Sequence, residues 1–207
     1  MRLQGITMRL VAGVLVAIVC GHARAAAAQE ISIKGGVNMA TISFSPEPGS
    51  PTLPGGNWRP GVIAGVSFMP QPSKRGGIQI EGLIRQGGVR NLLRLDDAIR
   101  VTYLDVPVLL HVDVFRGANH SVFLVGGPAL AVNLQASYET DGVTESVKDD
   151  IEPIDVLLIA GGGIEAGRLT FEARYTWGLR SAFHDSELEG AFRNQSFAIM
   201  AGVRIGK

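Results

Sequence analysis

Residues 164–179, Ile-Glu-Ala-Gly-Arg-Leu-Thr-Phe-Glu-Ala-Arg-Tyr-Thr-Trp-Gly-Leu, decide how the rest of the chain is read. Two alternating runs meet at a tight turn around Gly167-Arg168. In the second run Leu169, Phe171, Ala173, Tyr175 and Trp177 share one face, and Thr170, Glu172, Arg174 and Thr176 share the other. Successive side chains of a strand point to opposite sides, so this is a strand with one apolar and one polar, charged side. A soluble sheet buries its apolar side and wets the polar one. A membrane barrel turns the apolar side to lipid and keeps charge in its lumen.

The same alternation recurs on both sides of this stretch. Upstream, strands are expected over Ile31–Ala40, Trp58–Phe68, Ile78–Arg85, Tyr103–Val112, Val122–Leu134 and Ile154–Glu165; downstream, over Ser196–Gly206. Long polar loops are expected near 45–57, 87–98, 139–153 and 181–195, and short turns near 70–77, 116–120 and 166–168. Pro107, inside the fourth strand, removes a ladder donor and predicts a bulge or bend. About eight strands of roughly 10 residues match the length a tilted strand needs to cross a bilayer. An even strand number with long loops at one end and short turns at the other predicts an all-β fold: an antiparallel up-and-down transmembrane β-barrel of about eight strands. Both termini then lie on the periplasmic, short-turn side. Trp58, Phe68, Tyr175, Trp177 and Phe197 fall near strand ends, where interfacial aromatic girdles sit.

The N-terminus reads as a secretory signal, with Arg2 and Arg9 before the apolar run Leu10–Val19 and small residues at Ala23–Ala28. The expected domains are a cleaved signal peptide over 1–28 and an outer-membrane β-barrel over 29–207. Cys20, the only cysteine, falls in the signal, so the mature chain has no disulfide framework. Losing Arg2, Arg9 and Arg24 from 19 basic and 19 acidic residues leaves a net charge of about −3. No basic patch points to nucleic acid.

Nine charged or titratable residues fall opposite the apolar faces: Glu81, Arg85, Asp105, His111, Asp155, Glu165, Glu172, Arg174 and Arg204. In a narrow barrel they point inward. An eight-stranded lumen is just wide enough for side chains to fill, and charges packed there must pair. The set is therefore expected to be a structural lumen charge network. Gly161-x-Gly163-x-x-Ala166 fits a loose dinucleotide fingerprint, but the residues after it alternate as a strand where that motif needs a helix. Glycines that ease barrel packing are the expected role. His184-Asp185-Ser186 contains triad residue types, but neighbours in sequence are not a spatial triad. The four histidines lack metal-ligand spacing. No catalytic residue, cofactor or metal ligand is assigned.

Several short motifs resemble the PorT-like outer-membrane β-barrel (porin family) proteins. They are Gly35-Gly36-Val37-Asn38, Gly61 to Phe68, Tyr103-Leu104-Asp105-Val106-Pro107, Gly126-Gly127-Pro128, Glu172-Ala173-Arg174-Tyr175 and Gly178-Leu179. The resemblance spans nearly all of 30–207. It implies an outer-membrane barrel of about eight strands without an assigned activity, partnered by outer-membrane lipid and the barrel assembly machinery. Such barrels commonly end in an aromatic residue; here the end is Val203-Arg204-Ile205-Gly206-Lys207, an atypical insertion signal. The expected role is structural or surface-interacting, with the surface partner unspecified. Two other readings stay open: a soluble periplasmic β-barrel binding an apolar ligand, and a barrel enzyme resting on His111 and His184.

Overall fold

The computed structural model describes residues 29–46, 57–73, 75–90, 98–140, 143–146, 153–180 and 190–205. The strands are β1 (Glu30–Pro46), β2 (Arg59–Met69), β3 (Gly76–Arg90), β4 (Ala98–Arg116), β5 (His120–Thr140), β6 (Val143–Ser146), β7 (Ile154–Ala166), β8 (Leu169–Gly178) and β9 (Gly190–Arg204). Every pairing is antiparallel. The order β4-β3-β2-β1-β9-β8-β7-β5 closes on itself through β4–β5. Eight strands thus make a barrel with no free edge around its wall, and the four-residue β6 adds onto the end of β5.

The wall faces follow the sequence pattern. On β8, Leu169, Phe171 and Trp177 are exposed, while Thr170, Glu172, Arg174 and Thr176 are buried. The other strands repeat this, leaving Val37, Val66, Leu110, Leu130, Leu158 and Ile199 on the outer surface. That is the reverse of a soluble barrel around an apolar ligand, and the periplasmic-binder reading fails on it. The apolar band runs from Ile31 to Met39 on β1 and from Val122 to Leu134 on β5. At roughly 3.3 Å per residue and ~40° of tilt it is about 20–30 Å tall, the height of an outer-membrane hydrocarbon band. Near its upper margin the Tyr175 and Trp177 rings lie 4.4 Å apart, and the Tyr175 hydroxyl donates to Gln195 Oε1 at 3.0 Å.

The strands run longer than the alternation predicts. Residues 45–46, 87–90, 98, 139–140, 143–146 and 190–195, read as loop, are strand. Above the lipid both faces of a ladder are wet, so the apolar signal stops before the backbone pairing does. Thr140 pairs with Val143, so β6 runs back antiparallel along the end of β5.

Pro107 also departs from expectation. The β4–β5 register shifts between Thr102 and Tyr103 and between Asp113 and Phe115, while Pro107 pairs in register with Ala129. On its other side the β3–β4 ladder skips between Ile80↔Val108 and Leu83↔Asp105 without changing register. The missing donor costs a local gap in pairing, not a bulge.

The interior is filled. Leu109, Phe123, Val125, Ala129, Ala131, Leu157 and Ile159 form a buried apolar sector on β4, β5 and β7. These strands are apolar on both faces in sequence, so their inward residues pack as a core. The signal segment 1–28, the His184-Asp185-Ser186 triplet and the last two residues lie outside the described residues.

Candidate functional site: a charged lumen

The nine predicted lumen residues all project inward, and the strand register sorts them into three levels. The middle level is the most buried. Lys34 Nζ lies 3.0 Å from Glu81 Oε1 and 2.8 Å from Glu172 Oε2. Arg174 binds Glu81 through Nη1 and through Nη2, the latter at 2.8 Å, and binds Glu172 through Nε. Side-chain exposure is 5% or less for all four. Two cations and two anions from β1, β3 and β8 therefore cancel in a shared network. Every carboxylate oxygen has a charged donor, which is what keeps buried ions tolerable. Lys34 is the member the sequence set omitted, although it sits on the polar face of the first strand.

The glycines of the fingerprint-like run explain how Arg174 fits. Gly161 pairs with Arg174 across β7–β8, and Gly163 pairs with Glu172. A Cβ on Gly161 would come 2.9 Å from Arg174 Cγ, and one on Gly163 would come 2.7 Å from Phe123 Cζ. Here strand β7 passes straight into a hairpin at Gly167 (φ 62°), with no helix to receive a phosphate. The dinucleotide reading is excluded.

The upper level, toward the long loops, joins Arg85, Tyr103, Asp105, Asp155 and Asn194. Arg85 grips Asp105 through Nε (2.5 Å) and Nη2 (3.3 Å), and its guanidinium lies 4.8 Å from the Tyr103 ring centroid. Asn194 Nδ2 donates to Asp155 Oδ2 at 2.7 Å and to the Tyr103 hydroxyl at 3.3 Å. Above it the buried Val101, Ala136 and Ile42 are apolar.

The lower level lines a vestibule of about 590 Å³ at the short-turn mouth. Arg204 bridges Glu30 and Glu165, each at 2.7 Å. His111 stacks on Phe123 with centroids 4.4 Å apart. Gln79 Nε2 donates to Glu81 at 2.6 Å, so its oxygen faces His111 Nδ1, which donates to it at 3.1 Å. His111 Nε2 lies 3.5 Å from Asp113 Oδ1. The vestibule narrows inward to a chamber of about 10 Å³ beside Lys34 and Gln79, room for about one water. His111 thus belongs to a hydrogen-bonded chain between the mouth and the middle network. No described nucleophile contacts it, and among the described residues no His, Cys, Asp and Glu side chains gather as a metal-ligand set.

Solved structures similar to this one include the following three. The attachment invasion locus protein Ail of Yersinia pestis is 14% identical, with 86% of this chain and 99% of that chain covered and a TM-score of 0.47. Neisserial surface protein A is 11% identical, covering 84% and 96%, at 0.48. OprG from Pseudomonas aeruginosa is 12% identical, covering 87% and 97%, at 0.47. No curated protein matches the sequence. The family model described as outer membrane protein beta-barrel domain matches residues 25–184. With that match, the lipid-facing apolar wall and the closed eight-stranded ring, the chain belongs to the outer membrane protein beta-barrel domain family and is a small β-barrel of the outer membrane.

Proposed function

We propose that this protein is a closed, non-conducting barrel whose role is structural or surface-interacting, exercised through the long loops at its upper end. The Lys34–Glu81–Arg174–Glu172 network carries this reading. It crosses the lumen from three strands with no exposed charge, and buried apolar side chains fill the space beside it. A conducting pore needs a continuous wet path, and a neutral, fully paired network offers neither space nor unpaired charge to a passing ion.

The nine predicted charges act in this reading as a structural set, with Lys34 added. Within the family, the PorT-like branch is the closer assignment on the quoted motifs. Residues 1–28 are a signal peptide removed on export, and 29–207 reach the outer membrane through the barrel assembly machinery. No catalytic role is proposed, since the described polar clusters are ion pairs and hydrogen-bonded chains without an activated nucleophile.

Planar-bilayer recording of the refolded mature chain tests the plug. We expect no steady conductance from the wild type and intermittent openings from Arg174→Met. A stable open channel in the wild type would overturn the closed-barrel reading. Epitopes inserted into 47–56 and 181–189, between the paired strands, test the orientation: antibody labelling of intact cells is expected at both, and labelling only after the outer membrane is permeabilised would reverse it.

A further inference from the structure

We propose that the outer wall of the barrel binds the phosphorylated sugar headgroup of an outer-leaflet glycolipid, in a groove across the tops of β2 to β5. The groove holds about 270 Å³ and is lined by Arg59, Gln86, Arg100, Thr102, Gln135 and Ser137 beside the buried Val101.

A bulge builds it. Tyr103 pairs with Asn133 but Thr102 pairs with Gln135, so Leu134 is an extra residue on β5. Side chains alternate along a strand, and one inserted residue reverses which of them face out. Below the bulge Ala131 and Asn133 are buried inward; above it Ala136 is. Gln135 and Ser137 therefore leave the lumen and join the outer face beside Thr102 and Arg100, their partners on β4. Gln86 of β3 extends that row by pairing with Thr102. Arg59 reaches over from β2, its Nη1 donating to Gly87 O at 3.2 Å.

The groove sits one step above the lipid-facing band. On the same face Ile84, Leu104 and Leu134 lie immediately below Gln86, Thr102 and Gln135, with Ile84 45% and Leu134 40% exposed. Two residues along a tilted strand climb about 5 Å, so the groove opens at the depth where headgroups replace acyl chains. Trp58, exposed next to Arg59, is the residue type that stands at that boundary.

The lining selects the ligand. Its two charged groups are both guanidiniums, and among the described lining residues there is no carboxylate. The vestibule at the other mouth mixes Glu30, Asp113 and Glu165 with its arginines and has no such bias. Guanidiniums present forked donors that match phosphate oxygens. The four neutral residues, two amides and two hydroxyls, both donate and accept, which suits sugar hydroxyls. The volume falls below the ~300–1,000 Å³ that encloses a drug-sized ligand, so the groove takes one phosphorylated sugar and not a whole molecule. The acyl chains of the same lipid then run down over Ile84, Leu104 and Leu134. That continuity with the apolar band favours a lipid over a soluble anion. The choice of leaflet rests on the orientation proposed above, with the long loops outside.

Native mass spectrometry of the mature barrel released from zwitterionic micelles tests this, with bis-phosphorylated lipid A as the probe. The wild type should retain one lipid A, and should bind the same lipid stripped of both phosphates about tenfold or more weakly. Arg100→Gln, at an exposed wall position, should weaken retention of the phosphorylated lipid by about tenfold, and Arg59→Gln likewise. Arg116→Gln, at the opposite mouth, should bind as the wild type does. Equal retention of the dephosphorylated lipid would overturn the proposal, since acyl chains alone would then explain binding. So would an equal loss in Arg116→Gln, which marks unspecific charge, equal retention of phosphatidylglycerol, which marks any anionic lipid, or displacement by inorganic phosphate at the lipid's own concentration, which marks a free-anion site. The wild-type comparison of lipids decides alone if a variant does not fold. Micelles have no sides, so failed binding faults the groove, whereas reversed epitope labelling faults the orientation and with it the outer-leaflet occupant.

Discussion

Gly161 lies directly across the β7–β8 ladder from Arg174, and the hydrogen where a Cβ would be is what lets the arginine stem cross into the lumen. A Cβ there would meet Arg174 Cγ at 2.9 Å and press on the backbone oxygen of Ala173. The side chain has nowhere to yield, because its guanidinium is held by Glu81 and Glu172. Gly161→Ala should therefore destabilise the barrel by about 1–3 kcal/mol, the usual cost of overpacking. Gly82→Ala is the control: a Cβ at Gly82 meets nothing within 4 Å. It should fall within about 0.5 kcal/mol of wild type. Urea midpoints for folding into lipid vesicles compare the two, and equal losses would mean that the glycines matter for strand curvature rather than for room.

Arg174 itself should be costly to remove. Arg174→Met leaves Glu81 and Glu172 facing Lys34 alone, two buried anions against one cation. Truncating one partner of a buried network costs about 3–5 kcal/mol, mostly for the charge left unpaired. Adding Glu172→Gln should recover part of that loss, since the remaining Lys34–Glu81 pair is neutral. Additive losses in this double-mutant cycle would sink the idea that the four charges act as one network.

The rim pairs should behave differently although their distances are similar. Arg204 lies 2.7 Å from both Glu30 and Glu165, but its side chain is 25% exposed at the vestibule. Water screens such pairs and competes for them, so Arg204→Ala should cost no more than about 1 kcal/mol. It should also lose most of that effect in high salt, while the Arg174 effect persists. The same urea titration at two salt concentrations separates the cases. An Arg204 loss as large as that of Arg174, and equally insensitive to salt, would place the closure of the lumen at its mouth.

Which parts of this site could be read beforehand depends on where lipid lies. Between Leu169 and Trp177 every second residue meets hydrocarbon, so the alternation is strong and the inward set Glu172, Arg174 follows from it. The same alternation puts Lys34 on the polar face of Ile-Ser-Ile-Lys-Gly-Gly, but glycines blur the contrast between the faces there. At Arg90, Ala98 and Glu139 the strands stand clear of the bilayer and the pattern fades, so strand reads as loop in the sequence. The grouping of charges into three levels was not legible, because it depends on strand stagger, which pairs Gly161 with Arg174 and Arg85 with Tyr103.

Leu158 tests the outer wall as Arg174 tests the inner one. It is 44% exposed and pairs across the wall with Pro128 on β5 and Trp177 on β8. Its neighbours Leu157 and Ile159 point inward and are buried. An arginine at position 158 must therefore project into lipid. Toward the bilayer midplane that costs about 2–4 kcal/mol on a barrel's lipid face, and less near the interface. Trp177, an aromatic near the upper margin, stands opposite, so Leu158 lies above the centre of the band and the lower end of that range is expected. Leu130→Arg, at a neighbouring exposed position on β5, should cost a similar amount, whereas Leu134→Arg, higher on the same strand, should cost less. A gel-shift assay of folding into vesicles reads all three. A loss that falls from Leu130 to Leu134 would trace the upper edge of the hydrocarbon band. Unchanged folding of Leu158→Arg and Leu130→Arg together would mean that this face of β5 and β7 does not meet lipid, and that a partner surface covers it in the membrane.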